Sequence, residues 1–221
     1  EDLKRRDFTI NSIAFEVSTR KIYDLYGGIS DIKSKTLNLL HRNSISDDPS
    51  RLIRCAKYAS RLNFNISNNS LKQSQETVRQ WPWKSSGTHE KIISPPALGI
   101  RIRMELSEIN KHDNLKNVIS IIYKWGIISI LNENIKVDKS FLRGLNWIKR
   151  LNGNYLLYLL KDAENLETAC QRFLVNNGEI KILEDYLNIK KILTINQEKF
   201  IHFSPSSWTE FIENRNLNDE T

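Results

Sequence analysis

Apolar positions recur in two rhythms along this chain, and the change from one to the other divides it. From Phe8 to Val17 the run FTINSIAFEV is β-branched and aromatic; a polar Ser18-Thr19-Arg20 follows, then Lys21 to Asp24. That pattern predicts a β-hairpin with a short turn. Gly27-Gly28 breaks the chain, and Thr36 to Leu40 suits one further short strand. An isolated hairpin is marginal in water, so these strands are expected to need sheet partners, upstream of Glu1.

After about residue 46 the period becomes helical. Asp48-Pro49 reads as an N-cap followed by proline at the first helical position, and Leu52, Cys55, Ala56, Ala59 and Leu62 then recur on one face. A polar stretch from Asn63 to Ser70 leads to a predicted helix from Leu71 to about Trp81. A loop containing Trp81-Pro82-Trp83 and Ser85-Ser86-Gly87 follows. Ser94-Pro95-Pro96 opens the next helix, with Leu98, Ile102, Leu106 and Ile109 on one face. Further amphipathic helices are predicted at roughly Leu115 to Ile130, Lys139 to Leu151, Tyr155 to Lys161, Leu166 to Asn176, Glu179 to Leu193 and Ser206 to Asn214. The expected architecture is a piece of sheet followed by an all-helical body.

Composition narrows the classes open to such a chain. Its 221 residues are 39% hydrophobic and 27% charged, with 8 Gly and 5 Pro, which excludes a collagen-like or mainly disordered polypeptide. Lys plus Arg number 33 against 26 Asp plus Glu, a net charge of +7 that favours polyanionic partners. No window approaches a membrane span and no secretory signal opens the sequence, so a soluble cytoplasmic protein is expected. Cys55 and Cys170 each sit among apolar residues, as suits a reducing compartment. The chain starts on Glu1, a residue before which an initiator Met is normally retained, so it is expected to begin inside a longer polypeptide.

Two clusters carry chemistry. In Lys4-Arg5-Arg6-Asp7, an arginine beside a carboxylate can bind a phosphate while the carboxylate accepts from a ribose hydroxyl; the competing reading is a solvated charge run. In Asp47-Asp48-Pro49-Ser50-Arg51, Arg54, Lys57 and Arg61 continue a basic stripe along one helix, as phosphates require. Arg51 lies in the first turn, where the macrodipole disfavours a cation, so helix stability alone does not select it. Asp48 and Arg51, three apart, can present an acceptor beside a donor. Such a pair suits the Watson–Crick edges of cytosine and adenine and rejects uracil and guanine, because a mismatch leaves buried polar groups unpaired at about 1–3 kcal/mol each. The alternative is local: Asp48 only caps, and Arg51 only pairs with Asp47.

RRDFTINSIAF at 5–15, DLYGGISDI at 24–32, DDPSRLIRCAKYASRLNF at 47–64 and RIRMEL at 101–106 occur in the order and spacing of a known family. They resemble motifs B to E of the bacterial class II tRNA nucleotidyltransferases, the CCA-adding enzymes, and of the similar bacterial poly(A) polymerases. The resemblance implies a mainly α fold: a β-hairpin from the C-terminal part of an α/β nucleotidyltransferase head (1–45), a helical neck that selects the base (46–111), and a helical body and tail that bind RNA (112–221). It implies that Arg6 contacts the triphosphate and Asp7 helps select ribose. It further implies that Asp48 and Arg51 template CTP or ATP, with Arg54 and Lys57 facing the nucleotide. Arg101, Arg103 and Glu105 would brace that helix, or Arg101 and Glu105 would form an ordinary pair within their own. Three positions depart from the family pattern: Asp47 for glutamate, Lys57 for arginine and Ile100 for glutamate.

The family's Gly-rich turn and its two metal-binding aspartates have no counterpart in this sequence. Mg²⁺ is therefore expected to be bound by residues outside this chain, and this piece alone to be inactive. The implied partners are nucleoside triphosphates and a tRNA or other RNA 3′ end. Poly(A) polymerase shares every motif quoted, an enzyme restricted to CC or to A addition is a further alternative, and a non-catalytic RNA-binding module is the reading from another class. His41, His89, His112 and His202 show no ligand spacing and are assigned to surface or loops. Trp125 and Trp147 are assigned to the core, and Trp81 and Trp83 are the better candidates to stack on bases.

Overall fold

The computed structural model describes residues 2–80, 96–112 and 114–214. The fold is mainly helical, with two two-stranded sheets near the N-terminus. Strands β1 (Ile13–Glu16) and β2 (Lys21–Asp24) form the expected antiparallel hairpin, in register Ile13 to Asp24 through Glu16 to Lys21. The first half of the run FTINSIAFEV is not strand. Phe8 makes a single antiparallel bridge to Leu39, and Thr9–Asn11 then turn as a 3₁₀ helix. Helix α1 (Gly28–Lys33) begins at the glycine pair, where the Asp24 carboxylate accepts the Gly28 and Ile29 N–H groups at 2.7 and 2.9 Å. The break read from Gly27-Gly28 is thus a capped helix start.

Strand β3 (Thr36–Leu37) finds its partner downstream rather than ahead of Glu1. It pairs parallel with β4 (Asn65–Ile66), inside the polar stretch read as a connector. Between them lie a short helix α2 (Ser44–Asp47) and the long α3 (Arg51–Leu62), so β3 to β4 is a crossover connection. Asn63 ends α3 in the left-handed conformation, with φ 54°. Helix α4 (Asn68–Gln80) follows. Trp81, Trp83, His89 and the predicted helix start at Ser94-Pro95 lie outside the described residues.

The rest is α5 (Pro96–His112), α6 (Leu115–Lys124), a 3₁₀ turn at Ile128–Ile130, α7 (Lys139–Arg150), α8 (Tyr155–Leu160), α9 (Leu166–Arg172), α10 (Asn177–Ile195), α11 (Gln197–Ile201) and α12 (Pro205–Glu213). Leu98, Ile102, Leu106 and Ile109, the predicted face of α5, are all buried in the main core with residues of α3, α6 and α8 to α10. Each full burial of such a side chain contributes roughly 2 kcal/mol. Gly99 makes the close approach possible: a Cβ there would sit 1.7 Å from the carbonyl oxygen of Arg172. A second cluster of Phe8, Leu37, Cys55 and Ala59, edged by Tyr58 and Leu39, fastens the N-terminal segment to α3. Trp125 packs against both clusters, whereas Trp147, also expected in the core, is 57% exposed. No helix of the described residues is long and apolar enough to cross a membrane.

Candidate functional site

The second cluster decides where Asp7 points. Phe8 is fully buried, edge-on to Tyr58 with ring centroids 5.6 Å apart. The backbone around it is pinned to residues 38–40: Thr9 N–H donates to Asn38 O, and Leu40 N–H to Asp7 O, both at 3.1 Å. Side chains alternate along an extended segment, so with Phe8 in the core Asp7 faces the start of α3. There it meets two arginines one turn apart. Arg51 Nε lies 2.6 Å from Asp7 Oδ1, and Arg54 Nη1 donates to Asp7 Oδ2.

The start of α3 explains the position of Asp48. Its Oδ1 accepts the Ser50 N–H at 3.1 Å and the Ser50 hydroxyl at 2.5 Å, and Arg51 N–H donates to its carbonyl at 3.1 Å. Asp48 therefore closes the turn that enters α3, with Pro49 following, and the regular helix begins two residues later. Its other oxygen, Oδ2, accepts from Arg101 Nη1 of α5 at 3.0 Å and lies 3.9 Å from Arg54 Nη2. Arg51 Nη1 donates to both the carbonyl and the hydroxyl of Ser44, each at 3.0 Å. Asp48 and Arg51 are thus held by different partners, α5 on one side and the N-terminal segment on the other. The local pairing of Arg51 with Asp47 does not form.

Glu105 completes the arrangement from α5, its two oxygens facing Arg54 Nε at 2.9 Å and Lys57 Nζ at 3.0 Å. Three carboxylates (Asp7, Asp48, Glu105) and four cations (Arg51, Arg54, Lys57, Arg101) make one network with one surplus positive charge. Asp7, Asp48, Glu105, Arg51 and Lys57 have side chains less than one-fifth exposed, while Arg101 is 55% exposed. The geometry offers carboxylate acceptors beside guanidinium donors at a partly dry surface, suited to a ligand carrying both an anionic group and a hydrogen-bonding edge.

Several expected neighbours do not join. Arg6 turns outward to Asp2 at 2.5 Å, and Arg5 does likewise at 2.6 Å. The tetrapeptide therefore splits into a solvated pair and an inward Asp7. Arg103 does not brace α3: two residues along a helix is about 200° around it, so Arg103 faces away from Arg101 and binds Glu179 of α10 and the Leu174 carbonyl. Nor do Arg101 and Glu105 pair with each other; both reach to the α3 side. Sequence reasoning missed Ser44 and Ser50. Asp-x-Ser at a helix entry is the readable sign of the second, whereas nothing local announces the first.

The described residues hold no group of three His, Cys, Asp or Glu that could grip a cation. Asp7, Asp48 and Glu105 are each engaged by cations, so this donor set does not fit a Mg²⁺ pair. His41 Nε2 contacts the Lys4 carbonyl, and His202 is exposed. Cys55 is fully enclosed and burial pushes its thiol up, which leaves it a packing role. Trp208 lies against Phe200, centroids 5.3 Å apart, in a small aromatic cluster with Phe203 and Phe211.

Residues 1–38 match the poly A polymerase head domain. Over 210 residues the chain is 28% identical to a CCA-adding enzyme of Francisella tularensis subsp. tularensis, covering 87% of this chain and 52% of that protein. Over 154 residues it is 27% identical to an A-adding tRNA nucleotidyltransferase of Aquifex aeolicus, covering 68% of this chain and 17% of that one. A solved CCA-adding enzyme in complex with ATP superposes with a TM-score of 0.72 at 22% identity, covering 99% of this chain and 53% of the other. The Thermotoga maritima CCA-adding enzyme complexed with tRNA gives 0.71 at 21%, covering 99% and 54%. This chain spans about half the length of these CCA-adding enzymes, and less of the A-adding one.

Proposed function

We propose that this chain belongs to the CCA-adding enzyme and poly(A) polymerase family of tRNA nucleotidyltransferases, and that it supplies the base-selecting and RNA-gripping part of an enzyme that adds C and A to tRNA 3′ ends from CTP and ATP. The observation that carries this reading is the placement of Asp48 and Arg51 at the entry to α3, each oriented by a separate partner. Held in this way, the carboxylate accepts from an exocyclic amino group and the guanidinium donates to a ring nitrogen or carbonyl. Cytosine and adenine match that pattern.

Asp7 takes the ribose side of the site in this reading, and Arg54 and Lys57 the triphosphate side, with Glu105 fixing both cations. Arg6, exposed and paired only to Asp2, is free to swing to a phosphate. Metal ions, which in such enzymes activate the attacking hydroxyl and neutralise the leaving phosphate, are assigned to residues outside this chain. This chain alone is expected to be inactive.

The test uses the full-length protein and a tRNA ending at its discriminator base. Extension is measured with each nucleoside triphosphate alone and in mixtures, and products are sized. Incorporation of C and A but not U or G supports the reading, and product length separates CCA addition from CC-only, A-only or poly(A) synthesis. Asp48→Ala with Arg51→Ala should relax or abolish the preference. Unchanged nucleotide choice in that double variant would sink the assignment.

A further inference from the structure

Helix α7 has two faces of opposite character. Inward, Leu145 is 3% exposed, and Phe141 and Leu142 pack on the main core. Tyr158 of α8 lies against Phe141 with centroids 5.3 Å apart and donates to the Phe141 carbonyl at 3.0 Å. A Cβ at Gly144 would sit 1.9 Å from the Tyr158 hydroxyl, so glycine is what lets α8 come this close. Outward, Lys139, Arg143, Trp147 and Arg150 follow one another at spacings of four, four and three, which places them on one ridge about 16 Å long. All four are exposed, and Lys149 beside them is exposed too.

The helix contains no acidic residue, and among the described residues none of these four cations forms an ion pair. Asp138, the acid just ahead of the helix, spends its carboxylate as the N-cap, accepting Phe141 N–H at 2.7 Å. Lys149 and Arg150 in the last turn are explained by the macrodipole; Lys139 in the first turn opposes it, and Arg143 gains nothing from it. The indole of Trp147 stands 57% exposed in the middle of this row, with the Arg150 guanidinium 5.3 Å from its ring centroid. A large apolar ring left in water among unpaired cations gains nothing from folding.

We propose that the outer ridge of α7 is an RNA-binding site, in which Lys139, Arg143 and Arg150 contact successive phosphates and Trp147 stacks on a base. Charge complementarity selects the ligand: a phosphate backbone satisfies the cations, and a base plane the indole, extended by the guanidinium beside it. The inference rests on the reading of this chain as part of an enzyme that acts on RNA 3′ ends, and it assigns residues to the grip on the RNA away from the α3 site.

The experiment is equilibrium binding of a tRNA acceptor minihelix to the full-length protein across a series of salt concentrations. Arg143→Gln with Arg150→Gln should flatten the slope of log affinity against log salt by about 1.5, two phosphate contacts' worth. Trp147→Ala should weaken binding about tenfold with the slope unchanged, and Trp147→Phe should recover most of the loss. Because all these side chains lie outside the core, the thermal midpoints of the variants should match the parent. If the parent binds RNA with steep salt dependence while the variants match its affinity and slope, the inference is overturned and the functional reading stands. If the parent shows no salt-dependent RNA binding, both fall.

Discussion

Asp7 carries more of the site than its position in a charge run suggests. Two guanidinium groups share its carboxylate, and its own backbone is fixed by the bridge beside Phe8. Replacing it with alanine leaves Arg51 without a carboxylate at a mostly buried spot and Arg54 with Glu105 as its close partner, so Asp7→Ala should cost about 2–3 kcal/mol in urea denaturation. Asp7→Asn, which keeps the shape, should still lose most of that. Arg101 makes the contrasting case. It is half exposed, and its bond to Asp48 orients a carboxylate that Ser50 already holds from the other side. Arg101→Ala should leave the denaturation midpoint within about 0.5 kcal/mol of the parent, since exposed pairs contribute little. Under the proposed function, the same substitution in the full-length protein should lower discrimination against UTP severalfold, read as the ratio of kcat/KM values for CTP and UTP. At Gly99 the constraint is steric: a methyl group would drive into the Arg172 carbonyl, so Gly99→Ala should cost about 3 kcal/mol.

Among the elements, α10 shows how an end is built. Its capping box joins Asn176 and Glu179 reciprocally, at 2.9 and 3.0 Å, and Asn176→Ala should lower stability by about 1 kcal/mol. The long helices were legible because one strong face repeats: the residues read from α5 are those in its core. Trp147 was misread because composition was allowed to outrank angle. Phe141 and Leu145, four apart, own the interior, and two further residues along from Leu145 the chain has rotated to the far side. Strand β4 was illegible for a different reason. Two residues of an Asn/Ser-rich segment become a strand only because β3, 29 residues earlier, presents an edge to them. The site was legible in part. The basic stripe announced α3, but its partners Asp7, Glu105 and Ser44 come from three other segments, and no local period encodes which of them meets which cation.

For the whole molecule, acid is the sharpest probe of these tertiary bonds. Burial alone would raise the Glu179 carboxyl, but the Asn176 N–H, the Arg103 guanidinium and the Asn154 amide outweigh it and hold it below its ordinary 4.5. At Asp162, too, burial is outweighed, here by Lys161 and Lys190, and its carboxyl is held below 3.8. A carboxyl depressed by folding stabilises the fold above its unfolded pKa and loses that contribution as pH falls through the folded one. The urea midpoint should therefore decline as pH drops below 4.5, and Glu179→Gln should start lower and decline less. The clasp between Asp7 and α3 has its own global consequence. The segment from Asp2 to Leu40 is joined to the rest by the Leu39 N–H donating to the Ser70 hydroxyl, the parallel β3–β4 pair, the Phe8 cluster and two ion pairs. A polypeptide nicked between Arg42 and Asn43 should consequently hold together as a two-piece complex, and reassembly of separately prepared pieces should weaken with added salt in proportion to what Asp7 contributes.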